Sequence, residues 1–594
     1  MQGKIHYRII PANPESHLYE VQLTVNQPAA DGQRLSLPAW IPGSYMIRDF
    51  SKNIVTIKAA CSGKHVEITK LDKQTWQCAP CDGALTLTYT VYAWDLSVRS
   101  AHLDQTHAYF NGTSVFLAVS GQEDQVCEVE LLRPQGENYQ DWQVATSLRN
   151  LTAVTHDFGG YQADSYDELI DHPVEMGKFT LASFDVAGVP HDIAITGKHT
   201  ADMDRLCTDL KIICEHHVAL FGELPEMERY VFQVMVVGEG YGGLEHRSST
   251  SLLCSREDLP RRNQKEVSEK YRAFLGLCSH EYFHTWNVKR IKPAVFIPYD
   301  LKKEQYTHLM WMFEGITSYY DDLSLVRTGL ISADSYLELL AQNITRLLRT
   351  SGHHKQTVWD SSFDTWTKFY QQDENAPNAI VSYYGKGALI AMGLDLTIRK
   401  ETHNKTSLDD VMRYLWNEYG KKEIGVPEQT IEEEISKHAG VDLSGFFDAM
   451  LRTTQDLPLQ QWLEEAGIDF VLYPAASSKD KGGKLPESSE AGPVLGIRLR
   501  ANPLGAELTH VLDQGAAQNA GLSSGDIVIA IESLKVSAET IEEKIAGFRA
   551  GDSFKLHAFR RDELMEFQLQ AVNAQPDSCA LRLKDERPDW LKGE

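Results

Sequence analysis

The hydrophobic pattern of this chain changes period midway along, and that change calls for a β-rich N-terminal domain followed by a largely helical one. Tyr19-Glu20-Val21-Gln22-Leu23-Thr24-Val25 and Leu85-Thr86-Leu87-Thr88-Tyr89-Thr90-Val91 alternate apolar and polar residues, and Val126 to Leu132 is a third such run. Alternation rich in β-branched and aromatic residues turns one side of a strand to the core and the other to solvent. Several such strands separated by turn residues predict a sandwich or an open sheet, an antiparallel, sandwich-like domain over residues 1–175 being the expectation. Tyr230 to Val237 is one more strand. The pattern then lengthens to helical stretches near 263–289, 307–329, 335–350, 383–400 and 407–420. Residues 176–473 therefore read as a mostly helical domain. The segment 474–492, rich in Ser, Gly and Lys, has linker composition. A compact β-rich module over 493–575 and a C-terminal tail over 576–594 complete a multidomain α+β chain.

The 594 residues exceed what one core serves. A formal net charge of -25 argues against nucleic acid as partner, because phosphate contact needs a basic face. Met1-Gln2-Gly3-Lys4-Ile5-His6 lacks the apolar core of a secretory signal. No run approaches the roughly 20 apolar residues that span a bilayer. A cytoplasmic protein without membrane insertion is the expectation. The nine cysteines are odd in number and scattered, which is not a disulfide framework. Cys78-Ala79-Pro80-Cys81 is the one close pair and reads as incidental, on a turn between strands.

The chemistry begins at Ser279-His280-Glu281-Tyr282-Phe283-His284. Histidines at i and i+4 share a helix face, so His280 and His284 can reach one ion. Glu281 sits beside that face, where a carboxylate can hold a water and take its proton. Two surface histidines on a helix would spell the same letters. However, Phe274, Leu275, Leu277, Phe283 and Trp286 mark this helix as buried, and buried polar groups need partners. Imidazole with carboxylate suits zinc, and a catalytic zinc needs a third protein ligand. Glu314, in the apolar stretch Leu309 to Ile316, is the candidate. A core glutamate in an ion pair is the competing reading. Asp321, two helical turns on, could accept a hydrogen bond from a ligand histidine, and Asp322 competes for that role.

Two further segments fit this chemistry. Gly238 to His246 follows the strand 230–237, and glycines there would let a peptide backbone approach and add to that strand edge. Glu245 could then bind a free α-amine; a glycine-rich turn carrying a solvated glutamate is the alternative. Ser382-Tyr383-Tyr384-Gly385-Lys386-Gly387 opens a helix, and a tyrosine hydroxyl there could stabilise an oxyanion. The residues alone do not choose between Tyr383 and Tyr384, or between this role and plain packing.

Together, His280-Glu281-x-x-His284 and the later Glu314-Gly315 resemble the thermolysin-like zinc peptidases with a glutamate third ligand. The remaining segments resemble one branch, the glycyl aminopeptidase family that ends in a PDZ domain. Pro38-Ala39-Trp40-Ile41-Pro42-Gly43-Ser44-Tyr45 with Arg48-Asp49-Phe50-Ser51 is similar to that family's N-terminal domain. Gly515-Ala516-Ala517 and Ala520-Gly521-Leu522-Ser523-Ser524-Gly525-Asp526-Ile527-Val528 look like a bacterial PDZ domain. The resemblance implies that Glu281 is the general base and that His280, His284 and Glu314 hold one zinc per chain. It implies that Gly242, Gly243 and Glu245 bind substrate. Leu244 and His246 depart from the Gly-Ala-Met-Glu-Asn pattern of the broader zinc aminopeptidases. Tyr384-Gly385-Lys386-Gly387 resembles their Tyr-Glu-Lys-Gly segment, which favours Tyr384. Val494-Leu495-Gly496-Ile497 resembles a peptide-carboxylate loop, so Leu495, Gly496 and Ile497 would hold a peptide C-terminus. A PDZ that only packs is the alternative.

The expected activity is a zinc aminopeptidase acting on peptides with a free N-terminus, with small first residues such as Gly or Ala preferred. A PDZ-guided endopeptidase and an inactive PDZ binding protein are the other readings, and the intact His280, Glu281, His284 and Glu314 speak against the last.

Overall fold

The computed structural model describes residues 5–475, 477–486 and 492–592. The chain forms two compact units, Met1–Tyr306 with Met412–Pro427, and Thr307–Val411 with Glu428–Glu594.

In the first unit, the alternating segments become the strands Leu18–Val25, Leu85–Tyr92 and Cys127–Leu131 of an eight-stranded sheet. Two four-stranded sheets share its core. Val21, Leu23, Val25, Leu85, Leu87 and Tyr89 are wholly buried, as period-two patterning requires. The sheets are antiparallel except where Ile5–Asn13 runs parallel to Cys127–Leu131. Cys78 ends the strand Thr75–Cys78, and Cys81 lies in the turn before Leu85–Tyr92.

A five-stranded sheet follows, in the order Phe179–Val186, Val189–Thr196, Tyr230–Val237, Ser249–Ser255, Tyr241–Glu245. The helix Met203–Phe221 crosses over between two parallel strands. Its N-cap Asp202 accepts from the backbone of Arg205, and Gly222 ends it in the left-handed region. This placement corrects one expectation. Tyr230–Val237 is the central strand, parallel to both neighbours and buried on both faces, as its near-continuous apolar run requires. Tyr241–Glu245 is an edge strand instead, with Phe179–Val186 at the opposite edge. The boundary expected at residue 175 falls inside the first unit, where side chains bond across it. Gln233 Nε2 donates to the Ala145 carbonyl at 2.7 Å, and the Tyr109 hydroxyl donates to Ser251 Oγ at 2.7 Å.

The second unit holds the helices Ile316–Arg327, Ala333–Leu348 and Gly385–Thr402. The Arg327 guanidinium pairs with both oxygens of Asp409, which also accepts from the Tyr320 hydroxyl at 2.6 Å. The segment expected as a tail carries the strand Ser578–Leu583, which pairs with Ile468–Tyr473 and closes this helical layer. The described portion of the expected linker is held down as well. Gly483 N donates to the Cys579 carbonyl at 2.8 Å, and the Tyr473 hydroxyl donates to the Lys484 carbonyl at 2.7 Å. Residue 476, residues 487–491, and the ends 1–4 and 593–594 lie outside the described residues. Residues 493–575 build a six-stranded antiparallel sheet around their own core of Leu508, Val528, Ile531, Phe554 and Leu556. No helix among the described residues is long and apolar enough to cross a membrane.

Candidate active site

In the first unit, the site grows from the helix Glu269–Phe283, with His284 as its C-cap. Ser268 caps its start by accepting from the backbone of Tyr271. Cys278, Tyr282 and Trp286 fall at helical spacing and are buried, so the opposite face carries His280, Glu281 and His284. Two histidines beneath lock the helix's rotation. His191 Nε2 meets the Tyr282 hydroxyl at 2.9 Å, and His217 Nε2 meets Ser279 Oγ at 2.9 Å. Burial pushes the His191 imidazole down to about 4 and His217 well below the usual histidine range, so both stay neutral.

The His280 and His284 rings stand edge to face with centroids 4.6 Å apart. His284 Nδ1 lies 2.6 Å from the Asn287 carbonyl oxygen. That contact fixes the proton on Nδ1 and leaves Nε2 as an electron-pair donor. Sequence reasoning missed this partner because a backbone carbonyl leaves no residue-type signal.

The edge strand Tyr241–Glu245 lies against this helix, and its glycines explain how close it comes. A Cβ at Gly243 would fall 2.0 Å from Glu281 Oε1, so only glycine leaves the Glu281 carboxylate its place. Arg99 holds the strand's outer side by donating to the Gly243 carbonyl at 3.3 Å. Glu245 is 4 % exposed, and its Oε1 is buried without a hydrogen-bond partner among the described residues. The turn at Gly43, with φ of 92°, presses on it: a Cβ there would fall 2.5 Å from Glu245 Oε1. Gly43 belongs to the Pro38–Tyr45 segment, which the sequence marked without a role. Donor atoms of Glu245, Glu281 and His284 all lie within 4.8 Å of one another. His246 turns away, with Nδ1 3.1 Å from Asp171 Oδ1.

In the second unit, Glu314 sits in a single π-helical turn, Trp311–Gly315, that runs into Ile316–Arg327. Such wide turns are frequent at functional sites. Glu314 is 1 % exposed. The Glu314 turn and the helix Gly385–Thr402 touch backbone to backbone, since a Cβ at Gly315 would fall 2.7 Å from Gly387 Cα. The two glycines thereby bring Tyr383 and Tyr384 near Glu314. Burial, and then the Glu314 carboxylate, push the Tyr384 phenol well above its usual range. Tyr383 is fully buried, whereas Tyr384 is half-buried, with its hydroxyl 3.5 Å from that of Tyr370. Asp321 is half-buried on the next helix, and its Oδ1 accepts from the backbone of Asp322.

In the C-terminal module, Leu495 is buried and its carbonyl accepts from Ala517 N at 2.9 Å. Gly496, with φ of 71°, packs on Gly515. Ile497 opens the sheet's edge strand, Ile497–Asn502.

Residues 6–178 match the peptidase M61 N-terminal domain, and residues 273–390 match the M61 glycyl aminopeptidase domain. A crystal structure described as the aminopeptidase N family protein of Idiomarina loihiensis is 43 % identical. It covers 99 % of both chains with a TM-score of 0.96. This chain belongs to the peptidase M61 family of glycyl aminopeptidases. The M61 chain is thus a zinc metallopeptidase of the aminopeptidase type. The M1 zinc metallopeptidase of Deinococcus radiodurans is 14 % identical, covers 77 % of this chain and 94 % of its own, and gives a TM-score of 0.48. No curated protein matches the sequence.

Proposed function

We propose that this M61 enzyme removes single residues from the free N-terminus of peptides, using one catalytic zinc held by His280, His284 and Glu314. The observation that carries this reading is the Glu245 carboxylate. It is buried, one oxygen lacks a partner among the described residues, and its donor atom lies within 4.8 Å of those of Glu281 and His284. An unpaired buried carboxylate oxygen is costly, and a substrate ammonium would satisfy it. An amine anchored there leaves only the first peptide bond beside Glu281. The Gly43 turn packs against the Glu245 carboxylate, which supports an amine site at the end of the cleft over the endopeptidase reading. We extend the reading to a preference for a small first residue, glycine or alanine, in keeping with the M61 glycyl aminopeptidase match.

The donor set fits zinc: two imidazoles from one helical turn, one with its tautomer fixed, and a buried carboxylate. Zinc bound there supplies a Lewis acid for the scissile carbonyl and lowers the pKa of water. Glu281 takes a proton from the attacking water and delivers it to the leaving amine. Tyr384, the tyrosine that keeps some exposure, donates a hydrogen bond to the developing oxyanion. Asp321 orients a ligand histidine. The Gly242-Gly243 edge pairs with the substrate backbone.

The domains follow the same reading: 1–175 as the N-terminal β domain, 176–473 as the catalytic domain and 493–575 as a PDZ domain. The edge strand after Leu495-Gly496 supports a PDZ that takes peptide C-termini at Leu495, Gly496 and Ile497. A packing role has its own support: Asn378 bonds the module at both Val511 O and Asp513 N, at 2.8 and 2.9 Å.

The test is a peptide panel with free and acetylated N-termini, run with and without chelator. The proposal requires cleavage of the free peptides alone, abolished by chelator and fastest for N-terminal glycine or alanine. Equal cleavage of acetylated peptides would refute it.

A further inference from the structure

A tight hairpin in the N-terminal domain carries a second set of metal-type donors. Strands Ala101–Leu103 and His107–Phe110 pair so that His102 faces Tyr109, and Asp104 N donates to the His107 carbonyl at 3.0 Å across the turn. Period-two geometry then puts His102 and Asp104 on one face, with His107 opposite Asp104 on that same face. The next strand adds Glu175, paired in register with Tyr109.

Each side chain is oriented by contacts of its own. Asp104 Oδ1 is taken by the turn, accepting from Thr106 N and Thr106 Oγ1 at 2.6 Å and from His107 N at 3.2 Å. Its Oδ2 faces His102 Nε2 at 3.3 Å. That separation is long for a charge-assisted hydrogen bond. It equals the donor-to-donor edge, about 3.3 Å, of a tetrahedral site with bonds of about 2.0 Å. His107 Nδ1 lies 3.1 Å from Glu175 Oε1, which also accepts from Thr196 Oγ1 at 2.8 Å. This carboxylate–histidine pair directs the lone pair to Nε2, as in metal-binding histidines. His107 Nε2 is buried without a hydrogen-bond partner among the described residues. His102 and His107 are 5 % and 1 % exposed, and both line a cavity of about 20 Å³ with Glu175, on the side away from Asp104.

We propose that His102, Asp104 and His107 form a second metal site, taking a divalent first-row transition ion, zinc foremost, with Glu175 orienting His107. Donor atoms of the three side chains lie within 4.8 Å of one another. Asp104 is 28 % exposed, so water completes the fourth position on that side. The ion ties the hairpin turn to its own strands, a structural role. It adds one ion per chain to whatever the catalytic centre holds, and it does not depend on the catalytic reading above.

The test removes the other zinc first. Full-length His280→Ala/His284→Ala protein is equilibrated with buffered zinc or cobalt, desalted and assayed for bound metal. It is expected to keep one ion per chain and to show the visible bands of four-coordinate cobalt. Adding Asp104→Asn, a change at a half-exposed turn, should weaken binding at least about tenfold, and adding His107→Ala should abolish it. Circular dichroism of each variant reports whether the fold is kept. The proposal is overturned if the folded His280→Ala/His284→Ala protein binds no metal at micromolar concentrations. It is equally overturned if the retained ion ignores both Asp104→Asn and His107→Ala.

Discussion

Gly243→Ala separates a glycine that serves the substrate from one that serves the base. The added methyl would fall 2.0 Å from Oε1, 2.5 Å from Cδ and 2.8 Å from Cγ of Glu281. Ordinary contact lies near 3.5 Å, so the carboxylate has to move by roughly 1.5 Å. All three clashing atoms belong to the outer end of a flexible side chain, so the fold should survive. A displacement of about 1 Å can cost on the order of 100-fold, and loss of a positioned base about 100- to 10,000-fold. The expected result is a kcat reduced by about two to four decades, with melting temperature and zinc content unchanged. Gly242→Ala is the reference, because a Cβ there meets nothing nearer than Arg99 Nη1 at 3.7 Å. It puts a methyl group on the same strand without touching Glu281. Steady-state kinetics on a glycyl peptide, with metal analysis, decide the matter. Equal kcat for the two variants would refute the assignment of Gly243 as the glycine that makes room for the base.

Other perturbations follow from the same geometry. Glu281→Gln should retain zinc and lose at least about 100-fold in kcat, and near-normal turnover would exclude Glu281 as the base. Glu245→Ala should raise KM for free peptides most and narrow the preference over acetylated ones; an unchanged preference would move the amine site elsewhere. His191, held neutral with a pKa of about 4, contributes stability that is present above the unfolded value near 6.5 and is lost as pH falls from there toward 4. Between pH 7 and 5 that amounts to about 2 kcal/mol, because the unfolded chain takes up a proton that the folded chain refuses. Denaturant midpoints of wild type and His191→Gln should therefore converge as pH falls, and parallel curves would contradict the account.

The elements are legible wherever one pattern dominates. Leu18–Val25 and Leu85–Tyr92 follow their alternation almost to the residue, and the helix Glu269–Phe283 lies inside its expected stretch. What stays hidden depends on partners distant in sequence. The continuous apolar run of Tyr230–Val237 marks a strand buried on both faces, but which strand takes the edge beside the site depends on the later strands Tyr241–Glu245 and Ser249–Ser255. The expected tail contains a strand because Ile468–Tyr473 needs one, a pairing across roughly a hundred residues that no local pattern encodes. At the proposed site, helical spacing and an acidic residue in apolar company are what mark the candidate residues in the sequence. The glycines at 43, 315 and 387 do not, and the closeness of Gly243 to Glu281 does not either, since a missing side chain shows its purpose only beside the atom it admits. The hairpin donors His102, Asp104 and His107 escape a reading of the sequence for a similar reason. Their shared face comes from strand register, not from helical spacing.

The central claim is a metal gripped by His280, His284 and Glu314, and anomalous diffraction at the zinc edge tests it most directly. Crystals of the zinc-loaded protein should show a peak about 2.0–2.2 Å from a nitrogen of each histidine and from a carboxylate oxygen of Glu314. A fully loaded, active crystal with no peak among those three side chains would contradict it.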